Sequence, residues 1–175
     1  MTDLVPDEMI TVRVIGLPVD VQVEAQQHAD ELTRELVLVA EQMRQDGDAA
    51  GLPVRFVELV STLSSRYSVF TAEQERQLAA AVAAGDRTID VTYSVPVSAA
   101  AAAADLGDVM DEVDDYCRQG RLLLTLATPA LLVDYRRWFL DQFVAQAAGR
   151  EPVSWADWPV VSTARAEQPG VSSGA

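Results

Sequence analysis

The chain is predicted to fold as an α/β or α+β domain of two layers, a small three-stranded sheet covered by helices in the order β-α-α-α-β-α-β-α. Three observations predict this. "MITVRVIGL" at 9–17 and "TIDVTYSV" at 88–95 alternate apolar and polar residues with the period of a strand. Long segments between and after them repeat apolar residues every three to four positions, as amphipathic helices do. "RLLLTLA" at 121–127 is an apolar run of strand length between Gly120 and Pro129.

In the first strand Ile10, Val12 and Val14 face one way, and Thr11, Arg13 and Ile15 the other. Leu17-Pro18 ends it. From Val19 to Met43 an apolar stripe through Val21, Ala25, Leu32, Leu36, Val39 and Met43 predicts a long helix, closed by the loop composition of "RQDGDAAGLP". Pro53 opens a shorter helix through Tyr67, and Thr71 with Gln74 reads as a capping box for a third that stops at Gly85. In the second strand Ile89, Val91, Tyr93 and Val95 share one face, leaving Thr88, Asp90, Thr92 and Ser94 on a wet one. Ser98 is placed to cap an alanine-rich helix to Arg118; the 121–127 run suits the centre of a sheet; Pro129 opens the last helix. "VIGLPV", "TYSVPV" and "TLATPA" each join a strand to a helix through proline, either by duplication or because proline suits any first helical turn.

Residues 1–8 are expected to be a flexible N-terminus, 9–148 a single domain, and 149–175 a tail that is disordered after about Ser162. Trp155 and Trp158 either fold back onto the core or form a docking peptide.

Composition narrows the function. Asp and Glu number 27 against 13 Arg, a formal charge of -14 that argues against a nucleic-acid surface. No apolar run approaches a membrane span, and the acidic N-terminus is unlike a signal peptide, so the expectation is a cytoplasmic protein with no membrane partner. A single cysteine, Cys117, makes neither an internal disulfide nor a Cys-based zinc cluster. The chain contains no lysine and no asparagine, which removes P-loop and Schiff-base lysines and the asparagine-bearing ATP sites of histidine-kinase-like enzymes. No catalytic residue, metal ligand or cofactor-binding motif emerges, and an enzyme is not expected.

The candidate binding residues lie on two helices. In "YRRWFLDQFV", Tyr135 and Trp138 form a surface with the composition of an interface hot spot. Arg137 stands opposite the apolar stripe with Asp134 and Asp141, an exposed ion ladder, whereas Arg136 falls inside it beside Leu132, Phe139 and Leu140. A guanidinium there must be paired internally, snorkel to water, or bind an anionic ligand. The helix after Ser98 carries Asp105, Asp108, Asp111, Glu112, Asp114 and Asp115 against an apolar stripe of Leu106, Val109, Met110, Val113 and Cys117. Asp108, Asp111, Glu112 and Asp115 are the candidate docking residues for a basic partner, with a merely solvated face as the other reading. His28, between Glu24 and Glu31, lacks a second histidine for a metal and an evident nucleophile for catalysis.

"VRVIGLPVDVQVEAQQHADELTREL", "LVSTLSSRYSVFT", "TIDVTYSVP", "DDYCRQGRLLLTLATP" and "YRRWFLDQFVAQ", in that order, resemble a family of small, uncharacterised actinobacterial proteins commonly encoded beside anti-sigma kinases and STAS-domain antagonists. The resemblance covers about residues 9–158. It implies a non-enzymatic regulator acting by protein-protein interaction in partner-switching control of transcription and the stress response. The other reading is a small-ligand module in which Arg136 anchors an anionic metabolite.

Overall fold

The computed structural model describes residues 8–48, 50–120 and 127–159. The first alternating stretch forms β1, Met9–Pro18, and the second forms β2, Thr88–Pro96. They pair antiparallel, Met9 opposite Pro96 and Val14 opposite Val91. Val12 and Val14 of β1 and Val91, Tyr93 and Val95 of β2 are buried, while Thr88, Asp90, Thr92 and Ser94 are exposed, so the ribbon has one dry and one wet face. A bulge between Val14 and Leu17 sets two residues of β1 against one of β2. Gly16 takes the left-handed conformation this requires, φ 67°, and its N–H donates to Asp90 Oδ1 at 2.7 Å.

The described sheet has two strands, which corrects the expected three-stranded sheet: the fold is α+β and mostly helical. The expected third strand falls largely on 121–126, outside the described residues, and Ala127 is not in a strand. An apolar run of that length satisfies a strand and a buried connection equally well. Both outer edges of the ribbon are also occupied at mid-length. The Gln146 side chain accepts from the Arg13 N–H at 2.9 Å and donates to the Arg13 carbonyl at 2.8 Å, on the side away from β2. Gln74 donates to the carbonyl of Thr92, the cross-strand partner of Arg13.

The described residues include five helices, α1 (Val19–Gln45), α2 (Leu52–Tyr67), α3 (Ala72–Ala84), α4 (Ser98–Arg118) and α5 (Ala130–Ala147), of which α1, α3 and α5 pack on the ribbon. The helix ends follow the proline, glycine and loop signals, and Gly85 ends α3 with φ 74°. Neither expected cap forms a side-chain bond to its helix N-terminus. Thr71 bonds the Glu75 side chain at 3.0 Å, its expected partner Gln74 being engaged with β2, and the Ser98 hydroxyl meets Tyr67 OH at 3.2 Å.

Two apolar clusters result. One joins the dry face of the ribbon to Tyr135, Trp138 and Phe143 of α5; the other joins Leu32 and Leu36 of α1, Phe56 of α2 and Val113 of α4. After Gly149 the chain folds back as a strap over α5. Trp138 Nε1 donates to the Val153 carbonyl at 2.8 Å, and Gln142 Oε1 accepts from the Val153 N–H at 3.1 Å. Trp155 is buried against Tyr135 and Trp138, its ring centroid 5.6 and 5.3 Å from theirs, and Trp158 packs beside the same cluster. The tryptophan-bearing part of the expected tail is thereby built into the core. Residues 1–7 and 160–175, the expected flexible end and disordered tail, lie outside the described residues.

Candidate functional site

The strap corrects the expected docking surface. Trp138 is 0% exposed and Tyr135 is buried as well, because α5 is covered on two sides, by β1 and α1 and by the returning strap. Its two apolar surfaces both face protein, so neither aromatic is presented to a partner. On α4, Asp108, Glu112 and Asp115 are exposed and Asp111 is half-buried. Glu112 is bidentate with Arg55 at 3.2 and 3.3 Å, and Asp115 pairs with Arg118.

The two adjacent arginines of α5 converge on α4. Arg136 Nη2 lies 2.7 Å from both Asp111 Oδ1 and Asp114 Oδ2, and Arg137 Nη2 lies 3.2 Å from Asp111 Oδ2. Arg137 therefore pairs across helices and not in the expected ladder along α5; Asp141 instead pairs with Arg150 at 3.6 Å. Burial alone would push the Asp111 carboxyl up, but the hydrogen bonds and charges of Arg136 and Arg137 outweigh it and hold the group below the ordinary carboxylate range. Asp114 is 2% exposed and the Arg136 side chain 13%, so this is an interior ion pair. Arg136 is thus occupied by carboxylates and is not a vacant anion anchor.

The pair continues through Thr128, at the entrance to α5. Its hydroxyl donates to Asp114 Oδ1, and His28 Nε2 of α1 lies 3.1 Å from the same hydroxyl oxygen. With the Thr128 proton directed at a carboxylate, His28 must donate, which assigns a proton to Nε2. Asp114 was legible as one carboxylate of a charged helix, but its role was not. The available signal was that Arg136, inside an apolar stripe, requires a buried carboxylate, and Asp114 lies at the edge of the apolar stripe of α4.

This polar chain borders a cavity of about 430 Å³ between α1, α2, α4 and α5, where the two apolar clusters meet. Its floor and walls are largely apolar, from Phe56, Val60, Leu106, Met110, Phe139 and Leu140. His28, Thr128 and Arg136 converge on it, and Tyr135 OH donates to Gln22 Oε1 at its border. The Nε–H of Arg136 is buried and has no acceptor among the described residues. A volume of this size, apolar with a few convergent polar groups, is the usual form of a small-molecule site. Among the described residues no group of three or more His, Cys, Asp or Glu is arranged to hold a metal, and no helix is long and apolar enough to cross a membrane.

Two buried tyrosines, Tyr135 at the cavity and Tyr93 on the dry face of the ribbon, set a pH limit. Burial first, with Glu75 adding, pushes Tyr93 up to about 12, and burial with Tyr93 nearby also raises Tyr135. Both phenols stay neutral in the fold, whereas unfolded tyrosine releases its proton near pH 10. Stability is therefore full below about pH 10 and falls as pH rises towards 12, by about 1.4 kcal/mol per pH unit for each tyrosine. Urea unfolding at pH 8, 10 and 11 should show the midpoint dropping slightly in the first step and more steeply in the last, and a midpoint unchanged at pH 11 would contradict it.

Compared with models of known protein families, with curated proteins and with solved structures, the chain matches none.

Proposed function

We propose that the protein is a non-enzymatic binding module that holds a small, mostly apolar molecule in the cavity between α1, α2, α4 and α5. The observation that carries this reading is the cavity itself: about 430 Å³ lined mostly by apolar side chains, with His28 and Thr128 at its polar border. The polar chain does not favour catalysis. Thr128 gives its proton to a carboxylate already engaged by Arg136, and His28 points its own proton at Thr128, so none of the three is poised as a base with a free lone pair beside a nucleophile. Thermal unfolding with benzene and indole tests the reading. Occupancy at a hundredfold excess over Kd stabilises by about 2.7 kcal/mol, and Val60→Trp, which crowds the cavity wall, should reduce the gain. No stabilisation by either molecule, or a gain undiminished in Val60→Trp, sinks it.

A second reading, docking of a basic protein surface, is favoured by the exposed carboxylates of Asp105, Asp108, Glu112 and Asp115, which the helical period sets on one side of α4. Asp105 and Asp108 have no ion pair among the described residues. The regulatory, partner-switching role implied by the family resemblance belongs with this reading. It predicts a host protein that co-purifies at low salt, is released at about 0.5 M salt and is lost with Asp105→Asn/Asp108→Asn; retention by the variant argues against it.

A further inference from the structure

We infer that the molecule taken by the cavity carries a primary ammonium group on an apolar body, with the ammonium held at the mouth by Gln26, Asp30 and Thr33 of α1. This rests on the cavity being a binding site. The three residues line it, and their spacing of four and three positions sets them in a row on one face of the helix. Gln26 and Asp30 are exposed and Thr33 is half-buried, so the row forms the rim of the cavity and not its floor. None of the three side chains has a hydrogen bond or ion pair among the described residues. Each offers an accepting oxygen, and Asp30 adds a full negative charge. A primary ammonium has three N–H donors and no acceptor, one donor for each of these oxygens.

The other polar groups of the lining do not favour an anion. Arg136 is already engaged, its Nη2 lying 2.7 Å from both Asp111 and Asp114, and neither of those carboxylates lines the cavity. His28 donates to Thr128 and Thr128 to Asp114, so neither has that proton to lend. An entering anion would therefore approach a cation that is paired and would pass Asp30 on the way. A neutral head group fills the same space but leaves the Asp30 charge unanswered. The rim position suits a cation further, because an ammonium stays partly hydrated there and escapes the desolvation that a buried ion suffers. The formal charge of -14 adds attraction for cations and repulsion for anions at low salt. Behind the rim, Val60, Met110, Phe139 and Leu140 receive the hydrocarbon.

The experiment titrates the full chain at pH 8 and low salt with octylammonium, octyltrimethylammonium, octanol and octanoate, matched in chain length, with benzene as a head-free probe. Affinity is read by calorimetry and location by side-chain shifts of Phe139 and Leu140. Octylammonium is expected to bind about fivefold more tightly than octanol, the upper range for an ion pair open to solvent, and octanoate more weakly than both. Octyltrimethylammonium, which keeps the charge but has no N–H, should fall below octylammonium. Asp30→Asn should erase the preference for octylammonium over octanol, and added salt should reduce it in the parent. Octanol, octanoate or octyltrimethylammonium matching octylammonium, the preference surviving in Asp30→Asn, or octylammonium failing where benzene binds overturns the inference while the cavity stands. If benzene leaves Phe139 and Leu140 unshifted, the cavity reading itself fails and the inference with it.

Discussion

Asp114→Ala is expected to cost this fold about 3–5 kcal/mol, because it leaves the Arg136 guanidinium in the interior with only the half-exposed Asp111 as partner. It also strips the Thr128 hydroxyl of its acceptor and so loosens His28. Urea unfolding at pH 7 measures the loss. Arg136→Leu should be nearly as harmful, since it strands the Asp114 carboxylate, which is 2% exposed. The double variant Asp114→Leu/Arg136→Leu should recover much of the loss, as apolar replacements of buried pairs commonly do. If each single variant lies within about 0.5 kcal/mol of the parent, the span of ordinary surface substitutions, the charges are solvated and the pair is not interior.

The second large effect concerns the strap. Trp138→Ala should destabilise by about 3–5 kcal/mol, lowering Tm by roughly 10 °C in a chain of this size. The substitution empties a site of zero exposure, leaves the Val153 carbonyl without its indole donor and removes the ring on which Trp155 rests. Trp138→Phe separates the contributions, keeping a ring while losing the Nε1–H bond, for about 1 kcal/mol. Proteolysis read at Arg150 should accelerate in Trp138→Ala before global unfolding, because the strap detaches first. Equal cleavage in parent and variant would mean that Trp155 does not depend on Trp138 for its place.

What was legible in the sequence was local. Period-2 alternation placed both strands and their wet faces, and proline and glycine punctuation placed the helix ends to within a few residues, because those signals act over one turn or one strand. Partners far apart in the chain were not legible. That Arg136 must find a carboxylate followed from its place in an apolar stripe, but nothing local singled out Asp114 and Asp111 among six acids on α4. Trp138 was misplaced for a related reason. A helix with apolar residues on two sides reads as having one surface to spare, and only the return of 150–158 over α5 consumes it. The apolar run at 121–127 reads as a strand from its length, its apolar character and its Gly120 and Pro129 boundaries, criteria that ignore whether a sheet edge is open to receive it.

That last point gives the two glutamines a wider meaning. A ribbon of two strands is all edge, and a bare edge is a template on which another chain, including a second copy of this one, can grow. Gln146 and Gln74 place side-chain amides where the next strand's backbone would hydrogen-bond, one on each flank and both at the level of the Arg13–Thr92 pair. They are in effect one-residue false strands, tethered to helices and unable to propagate, so that a strand arriving at either flank would meet backbone already engaged at that level.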